Sequence, residues 1–182
     1  MDFKFLQKIL PRLYSFLPFY LAPENSFPPI QAFFEVTYRC NLRCDMCHYL
    51  EIIDETETNK TYKNEMSADE VKKAILKLPR FSLITFTGGE AFMKSDFMEI
   101  LEFAAKRHKV HIITNGTILS EKVVEDLMRL RIKSAWGCGL FYMGVSIEGD
   151  EELHDAITTI PGSYKKTTQG LERLVARKKE LK

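Results

Sequence analysis

Apolar and polar positions along the chain predict short buried strands that alternate with amphipathic helices. Strand-like apolar runs are found at Ala32–Tyr38, Ser82–Thr87, Val110–Thr114 and Tyr142–Ile147. After the second and later runs, apolar residues recur at the spacing of one helix face, as in Phe97, Ile100, Leu101 and Ala104. A similar set, Val71, Ala74, Ile75 and Leu78, precedes the second run.

Helix boundaries are also visible in the sequence. Ser67 and Glu70 have the spacing of a capping box, and Pro79 ends the helix that they begin. Ser120 is a candidate N-cap for a helix over Glu121–Arg131, and Ser163 begins the last helix, with Leu171, Leu174 and Val175 facing inward. The acidic stretch Glu51–Glu65 lacks apolar periodicity and is predicted to be a loop.

The order of these elements predicts an α/β fold with a parallel sheet. Four βα units in succession imply right-handed crossovers and strands in the order 1-2-3-4. We expect the sheet to curve as a partial (β/α) barrel with helices on its outer face. With 182 residues, 45% of them hydrophobic, the chain can bury one sizeable core.

Four polar motifs follow the four predicted strands. They are Cys40–Cys47, Gly88-Gly89-Glu90, Thr114-Asn115-Gly116 and Ser146-Ile147-Glu148-Gly149. Taken singly, the last three are typical of ordinary turns and strand ends. Because the carboxyl ends of parallel strands meet at one edge, where ligands bind in such folds, we expect the four motifs to form one site.

The first motif contains three cysteines, Cys40, Cys44 and Cys47, at unequal spacing. Three such thiolates can ligate three irons of a [4Fe–4S] cluster and leave the fourth iron open. A zinc site is an alternative, with His48 or Cys138 as fourth ligand, although zinc ligands usually come as two pairs. A disulfide framework is disfavoured because three clustered thiols cannot pair among themselves, and a reducing cytosol is the better compartment.

These motifs resemble the radical S-adenosylmethionine (radical SAM) superfamily. The resemblance rests on Cys40-x3-Cys44-x2-Cys47 and on Gly88-Gly89-Glu90 after the second strand, and it runs from about Phe33 to the chain end. Leu153-His154-Asp155 followed by Gly162-Ser163-Tyr164 is similar to the branch with C-terminal auxiliary clusters, which often has Arg where Thr158 stands. Glu148 stands where the family often has Asp.

The resemblance implies an enzyme that uses a [4Fe–4S] cluster and S-adenosylmethionine. In the family, S-adenosylmethionine chelates the open iron, and reductive cleavage of this cofactor gives a 5′-deoxyadenosyl radical that abstracts hydrogen from a substrate. By position, Gly88 and Gly89 would approach the methionine end and Glu90 would accept from its ammonium group. The remaining implied contacts are Met46 at the adenine, and Thr114, Asn115 and Ser146 at the ribose or carboxylate.

The resemblance also implies an incomplete core. The family has six βα units, whereas this sequence shows four, and one cysteine outside the motif cannot build an auxiliary cluster. The chain thus looks truncated, with an open edge at the fourth strand that favours self-association. A noncatalytic iron–sulfur or zinc module that needs a partner chain is the alternative function. The expected partners are a peptide or small-molecule substrate and an electron donor such as flavodoxin or ferredoxin.

Residues 1–30 are predicted to be a separate extension, and residues 31–182 the partial core domain. Phe3–Leu21 is apolar but is interrupted by Pro11 and Pro18, which predicts short amphipathic turns; Pro23–Pro29 then connects them to the core. Interfacial attachment to a membrane is an alternative, so the expected location is cytoplasmic or peripheral to the membrane. A net charge of +1 argues against nucleic acid as a partner.

The other candidate side chains have simpler interpretations. Cys138 is predicted to be a small buried residue. His108 and His111, which flank the start of the third strand, are predicted to be structural or solvated. His48 is either close to the cluster or solvent-facing, and His154-Asp155 is predicted to hold a loop in place rather than to act in catalysis.

Overall fold

A computed structural model of the protein describes residues 13–14, 16–18, 20–21, 27–132 and 137–177. The backbone divides into two compact units, residues 1–30 and 31–182. In the first unit, the Tyr14 hydroxyl donates a hydrogen bond to the Pro28 carbonyl oxygen at 2.5 Å. Most of the predicted turns over Phe3–Leu21, and most of the connector after them, lie outside the described residues.

The second unit contains the predicted parallel sheet. Its strands pair in the order β1-β2-β3-β4, all parallel, which confirms the partial barrel. Phe33, Thr85, His111 and Tyr142 lie side by side across the sheet. The strand bounds are β1 Gln31–Glu35, β2 Leu83–Thr87, β3 Lys109–Thr114 and β4 Gly139–Val145.

Helices alternate with the strands, and the hydrophobic core lies between them and one face of the sheet. Ile84, Phe86, Val110 and Ile112 on that face are fully buried against helix residues such as Leu101. The helix bounds are α1 Leu50–Asn59, α2 Ala68–Leu76, α3 Phe97–Ala105, α4 Glu121–Arg129, α5 Glu151–Thr158 and α6 Ser163–Ala176. The opposite face of the sheet is more open, with Phe33 62% and Tyr142 45% exposed.

Local signals placed most of these helices correctly. Ser67 forms the predicted capping box: its hydroxyl accepts from the Glu70 amide at 3.4 Å, and the Glu70 carboxylate accepts from the Ser67 amide at 2.9 Å. Ser120 caps α4 by accepting from the Val123 amide at 3.3 Å. The last helix begins at Ser163 as predicted, although its N-cap residue is Gly162.

The loop predicted over Glu51–Glu65 is wrong. That stretch forms α1 and a 3₁₀ turn at Thr61–Asn64. Only Ile53 and Thr56 of α1 are buried, so its sequence shows no apolar stripe. The helix packs through Ile53, which is buried with Leu42, and Arg43 adds ion pairs with Asp54 at 2.8 Å and with Glu57.

Two further differences concern the end of the chain. β4 begins at Gly139, three residues before the predicted start, and a register shift between Val110 and His111 accommodates it. Helix α5 was not predicted; Asp150 caps it by accepting from the Leu153 amide at 3.1 Å. An apolar groove of about 310 Å³ lies beside β4 and is lined by residues such as Phe141, Leu171 and Leu174.

The described helices α1 to α6 contain between 8 and 14 residues. Within the part of the chain that the structure describes, none of them combines the length and the apolar character that a bilayer span requires.

Candidate functional site

The carboxyl edge of the sheet encloses a cavity of about 310 Å³. Nine of the ten predicted site residues line it; Glu90 is the exception. The nine are Cys40, Cys44, Met46, Cys47, Gly88, Gly89, Thr114, Asn115 and Ser146. The prediction that motifs after four separate strands meet at one edge is therefore confirmed by the geometry.

One side of the cavity, the cysteine wall, consists of residues 40–48 and helix α5. The cysteine loop is turned on itself, since the Cys47 amide donates to the Cys44 carbonyl oxygen at 2.9 Å. It rests on the carboxyl end of α5, where Thr158 accepts from the Arg43 amide at 3.2 Å and Ile157 accepts from the Asp45 amide at 3.0 Å. These two hydrogen bonds fix the backbone on both sides of Cys44.

The three thiols on this wall are all free and at least partly buried. Burial raises the pKa of Cys40. Burial, reinforced by the neighbouring Cys40 and Cys47, raises the pKa of Cys44 to about 11. A bound metal would supply the positive charge that this thiol needs to ionise.

The spacing of the ligands bears on which metal group fits. Among the described residues, no set of three His, Cys, Asp or Glu side chains converges so as to hold a single metal ion. A cluster differs in this respect, because each thiolate binds its own iron and the sulfurs need not meet at one point. Three free thiols lining an open cavity suit a cluster better than a four-ligand zinc site. Cys138, the alternative zinc ligand, is exposed rather than buried as predicted and is absent from the cavity lining.

The other side of the cavity, the glycine wall, consists of residues 88–90 and 114–117. The Gly89 amide donates to the Thr37 carbonyl oxygen, and the Glu90 amide to that of Arg39, both at 2.8 Å. A Cβ atom at Gly88 would lie 2.3 Å from the Thr37 carbonyl oxygen, and one at Gly89 2.5 Å from that of Arg39. The end of β2 can therefore lie this close to the chain leaving β1 only with glycine at both positions.

Glu90 is the residue of the glycine wall whose side chain is buried and does not line the cavity. Its carboxylate accepts from the Asn115 amide at 2.8 Å, the Thr114 hydroxyl at 2.9 Å and the Phe92 amide at 3.1 Å. Burial raises its pKa, and these hydrogen bonds act in the opposite direction. The carboxylate thus fixes the end of β3 instead of lining the cavity, which differs from the contact that the resemblance implied.

The side chain of Asn115 ties the two walls together. Its amide nitrogen donates to Asn41 Oδ1 at 3.0 Å and lies 3.9 Å from Cys40 Sγ. Its Oδ1 accepts from the Thr117 amide at 2.9 Å, and the Asn41 amide nitrogen donates to the Thr117 hydroxyl at 2.8 Å. Asn115 is therefore engaged in positioning the cysteine loop before any ligand binds.

Several lining residues were not predicted as site residues. They include Tyr49, Glu148, His154 and Thr158, besides His48. The Tyr49 hydroxyl donates to Glu35 at 2.6 Å, and this hydrogen bond is the main cause that raises its pKa to about 12. His154 and Thr158 reach the cavity because α5 packs against the cysteine loop, a tertiary contact without a local sequence signal.

The remaining histidines lie away from this cavity. His108 is fully buried, and its Nδ1 atom lies 3.1 Å from the Ser82 carbonyl oxygen, consistent with the predicted structural role. His111 stacks on Tyr142 with ring centroids 3.7 Å apart. Burial lowers the pKa of both histidines.

Comparison with known proteins agrees with this geometry. The family model of the radical SAM superfamily matches residues 34–180. The antilisterial bacteriocin subtilosin biosynthesis protein AlbA of Bacillus subtilis is 32% identical over 156 residues, which cover 83% of this chain and 32% of that protein. Fe-coproporphyrin III synthase of Methanosarcina barkeri is 32% identical over 139 residues, 75% of this chain and 31% of the synthase.

The fold has solved counterparts as well. The structure of native anSMEcpe with bound AdoMet and Cp18Cys peptide matches with a TM-score of 0.59 and 20% identity, over 83% of this chain and 41% of that one. This chain spans about a third of the length of the curated relatives it matches.

Proposed function

The chain belongs to the radical SAM superfamily, whose members are enzymes that use a [4Fe–4S] cluster and S-adenosylmethionine, and we propose that it carries the site for both. In this proposal Cys40, Cys44 and Cys47 each bind one iron. The support is that all three thiols line one cavity at the carboxyl edge of the sheet. The raised pKa values of Cys40 and Cys44 mean that loading the cluster releases protons from these two thiols.

In this proposal the cluster and S-adenosylmethionine provide the radical chemistry. The cluster that Cys40, Cys44 and Cys47 would hold would supply the electron for reductive cleavage of S-adenosylmethionine, and thereby the radical chemistry that removes hydrogen from a substrate. The protein supplies binding, orientation and exclusion of water.

The glycine wall is proposed to hold S-adenosylmethionine. Gly88 and Gly89 line the cavity through their backbone, which the methionine end of the ligand would approach. The Ser146 side chain is exposed and lines the same cavity, where its hydroxyl can donate to a carboxylate or ribose oxygen. Met46, 56% exposed, offers a thioether to the adenine ring.

Thr114, Asn115 and Glu90 take a second role in this proposal. Their side chains hydrogen-bond to other parts of the protein, so they position the glycine wall and the cysteine loop. A rigid wall of this kind lowers the entropic cost of ordering the ligand.

The proposed substrate class rests on the names of relatives. AlbA and the sporulation killing factor maturation protein SkfB are named for peptide products, whereas others are named as heme synthases. A peptide or a small molecule is therefore proposed as substrate, with flavodoxin or ferredoxin as electron donor.

Anaerobic reconstitution with iron and sulfide, followed by a S-adenosylmethionine cleavage assay, tests the proposal. We expect an oxygen-sensitive [4Fe–4S] spectrum and formation of 5′-deoxyadenosine under reducing conditions. Stoichiometric zinc without iron would contradict it. A cluster without any cleavage would favour the alternative of a noncatalytic iron–sulfur module.

A further inference from the structure

His154 is a buried histidine in the cysteine wall. It is 1% exposed, and it lines the cavity together with Cys44. Its Nδ1 atom accepts a hydrogen bond from the Glu148 amide at 3.1 Å. A neutral imidazole that accepts at Nδ1 carries its proton on Nε2, so Nε2 is a hydrogen-bond donor.

That donor has no partner. Nε2 of His154 is buried and makes no hydrogen bond to any described residue. Buried polar groups in native proteins almost always have a partner, so an unpaired one calls for a specific explanation. The Nε2 atom of His108 is also unpaired, but His108 lies outside the cavity lining. Only for His154 can a molecule held in this cavity provide the acceptor.

The position of α5 indicates which acceptor this is. The carboxyl end of the helix accepts hydrogen bonds from the amides of Arg43 and Asp45, the two neighbours of Cys44. His154 lies one turn earlier, on the same face of α5 as Thr158, and both are buried and line the cavity. Cys44 is therefore the cluster ligand beside which α5 lies.

We propose that His154 Nε2–H donates a hydrogen bond to the sulfur of Cys44, or to the cluster sulfide next to it, and thereby raises the reduction potential of the cluster. The inference rests on the proposed function of the three cysteines. A donor to sulfur favours the reduced cluster, which carries one more negative charge than the oxidised form. His154 is thus a positioning and tuning residue for the metal group.

Two variants test the roles of the two ring nitrogens separately. His154→Asn keeps an oxygen near the Nδ1 position, where it can accept from the Glu148 amide, but removes the donor at Nε2. His154→Gln places an amide N–H near the Nε2 position and loses the acceptor at Nδ1. His48→Gln is the matched control, since His48 also lines the cavity but is exposed.

The measurement is an EPR-monitored redox titration of the reconstituted protein without S-adenosylmethionine. We expect His154→Asn to disfavour reduction by up to about tenfold, a shift of about 59 mV to more negative potential for one electron. His154→Gln and His48→Gln should stay close to the unsubstituted protein. Equal shifts in both His154 variants, or none in either, would overturn the inference.

A measurement on the unsubstituted protein covers the case in which the variants fail to load iron. With ¹⁵N-histidine, electron–nuclear double resonance of the reduced cluster should show a weakly coupled nitrogen and a proton that exchanges in D₂O. Both should persist in His48→Gln. A cluster without these couplings would refute the role of His154 alone, whereas the absence of any cluster would refute the proposed function itself.

Discussion

The two walls of the cavity differ in how far the polypeptide satisfies its own polar groups. On the glycine wall, the carboxylate of Glu90 and the side chains of Thr114 and Asn115 are engaged in hydrogen bonds within the protein. On the cysteine wall, the three cysteines form no disulfide, and Nε2 of His154 is unpaired among the described residues. In the proposed site, the glycine wall is complete as folded, and the cluster would complete the cysteine wall.

This difference indicates which kind of ligand each wall suits. A prearranged wall suits a ligand that enters and leaves in every turnover, because the protein pays little ordering entropy each time. The cysteine wall suits a group that is loaded once and then remains. Substitutions in the two walls should therefore differ in whether they affect the fold or the metal.

The largest effect is expected from Cys44→Ala, which changes only the cysteine wall. Loss of one thiolate should abolish the stable cluster and S-adenosylmethionine cleavage, while the metal-free fold is retained. Iron and sulfide analysis together with circular dichroism measures both. Cys138→Ala is the control and should keep its iron. A cluster retained in Cys44→Ala would remove the distinction between the walls.

Gly89→Ala tests the glycine wall. A Cβ atom 2.5 Å from the Arg39 carbonyl oxygen would push the end of β2 away and weaken the Gly89–Thr37 hydrogen bond. We expect a loss of about 3 kcal/mol in the free energy of unfolding, from urea denaturation of the metal-free protein.

Gly162→Ala is the matched control for Gly89→Ala. Gly162 has φ +77°, and a Cβ atom there would meet no heavy atom within 4 Å. Its cost should be about 1 kcal/mol, from backbone conformation alone. Equal losses in the two variants would show that close approach of the backbone does not shape this wall.

Glu90→Gln tests the buried hydrogen bonds of the glycine wall. Three donors now share the buried carboxylate. The glutamine amide would offer them only one accepting oxygen, and its N–H₂ group cannot accept from any of them. We expect a loss of about 2 kcal/mol in unfolding free energy, and weaker S-adenosylmethionine binding by calorimetry. Glu102→Gln, at an exposed ion pair with Lys106, should leave both unchanged. A stable Glu90→Gln protein with full affinity would contradict the positioning role.

The smallest effect is expected at Asp155, a residue of helix α5 in the cysteine wall. Hydrogen bonds from the amides of Tyr164 and Gly162 lower the pKa of Asp155 in the folded protein. A carboxyl with a lowered folded pKa stabilises the fold above its unfolded pKa, near 3.8, and loses that effect as the pH falls through the folded value.

Asp155→Asn should therefore lower the thermal midpoint at pH 7, and the two midpoints should converge in acid. Thermal unfolding between pH 7 and pH 2 measures this. A difference between the proteins that stays constant down to pH 2 would show that the Asp155 charge is not involved. Asp126→Asn, at a surface ion pair with Arg129, is the control.

Most of the fold, and most of the predicted residues that line the cavity, could be identified from the sequence. The strands carry continuous apolar runs, and Ser67 and Ser120 are local helix starts whose effect does not depend on distant residues. Since parallel strands end at a common edge, the motifs that follow them also had to meet there.

What could not be predicted depends on tertiary contacts. Helix α1 packs through Ile53 against Leu42 and pairs with Arg43, and no periodic apolar face marks it. The direction of the Glu90 carboxylate depends on how β2 and β3 pack, so the sequence indicated its place but not its partner. His154 reaches the cavity only because α5 folds back onto the cysteine loop.

The docking of the cysteine loop on α5 has a consequence for biosynthesis. The Thr159 hydroxyl donates to the Arg43 carbonyl oxygen across a sequence separation of 116 residues. During translation the cysteines therefore leave the ribosome long before the helix that supports them, and non-local contacts of this kind form late in folding. The thiols stay accessible to oxidants throughout that interval. Insertion of iron and sulfide into a finished site has to wait until the end of α5 has been synthesised.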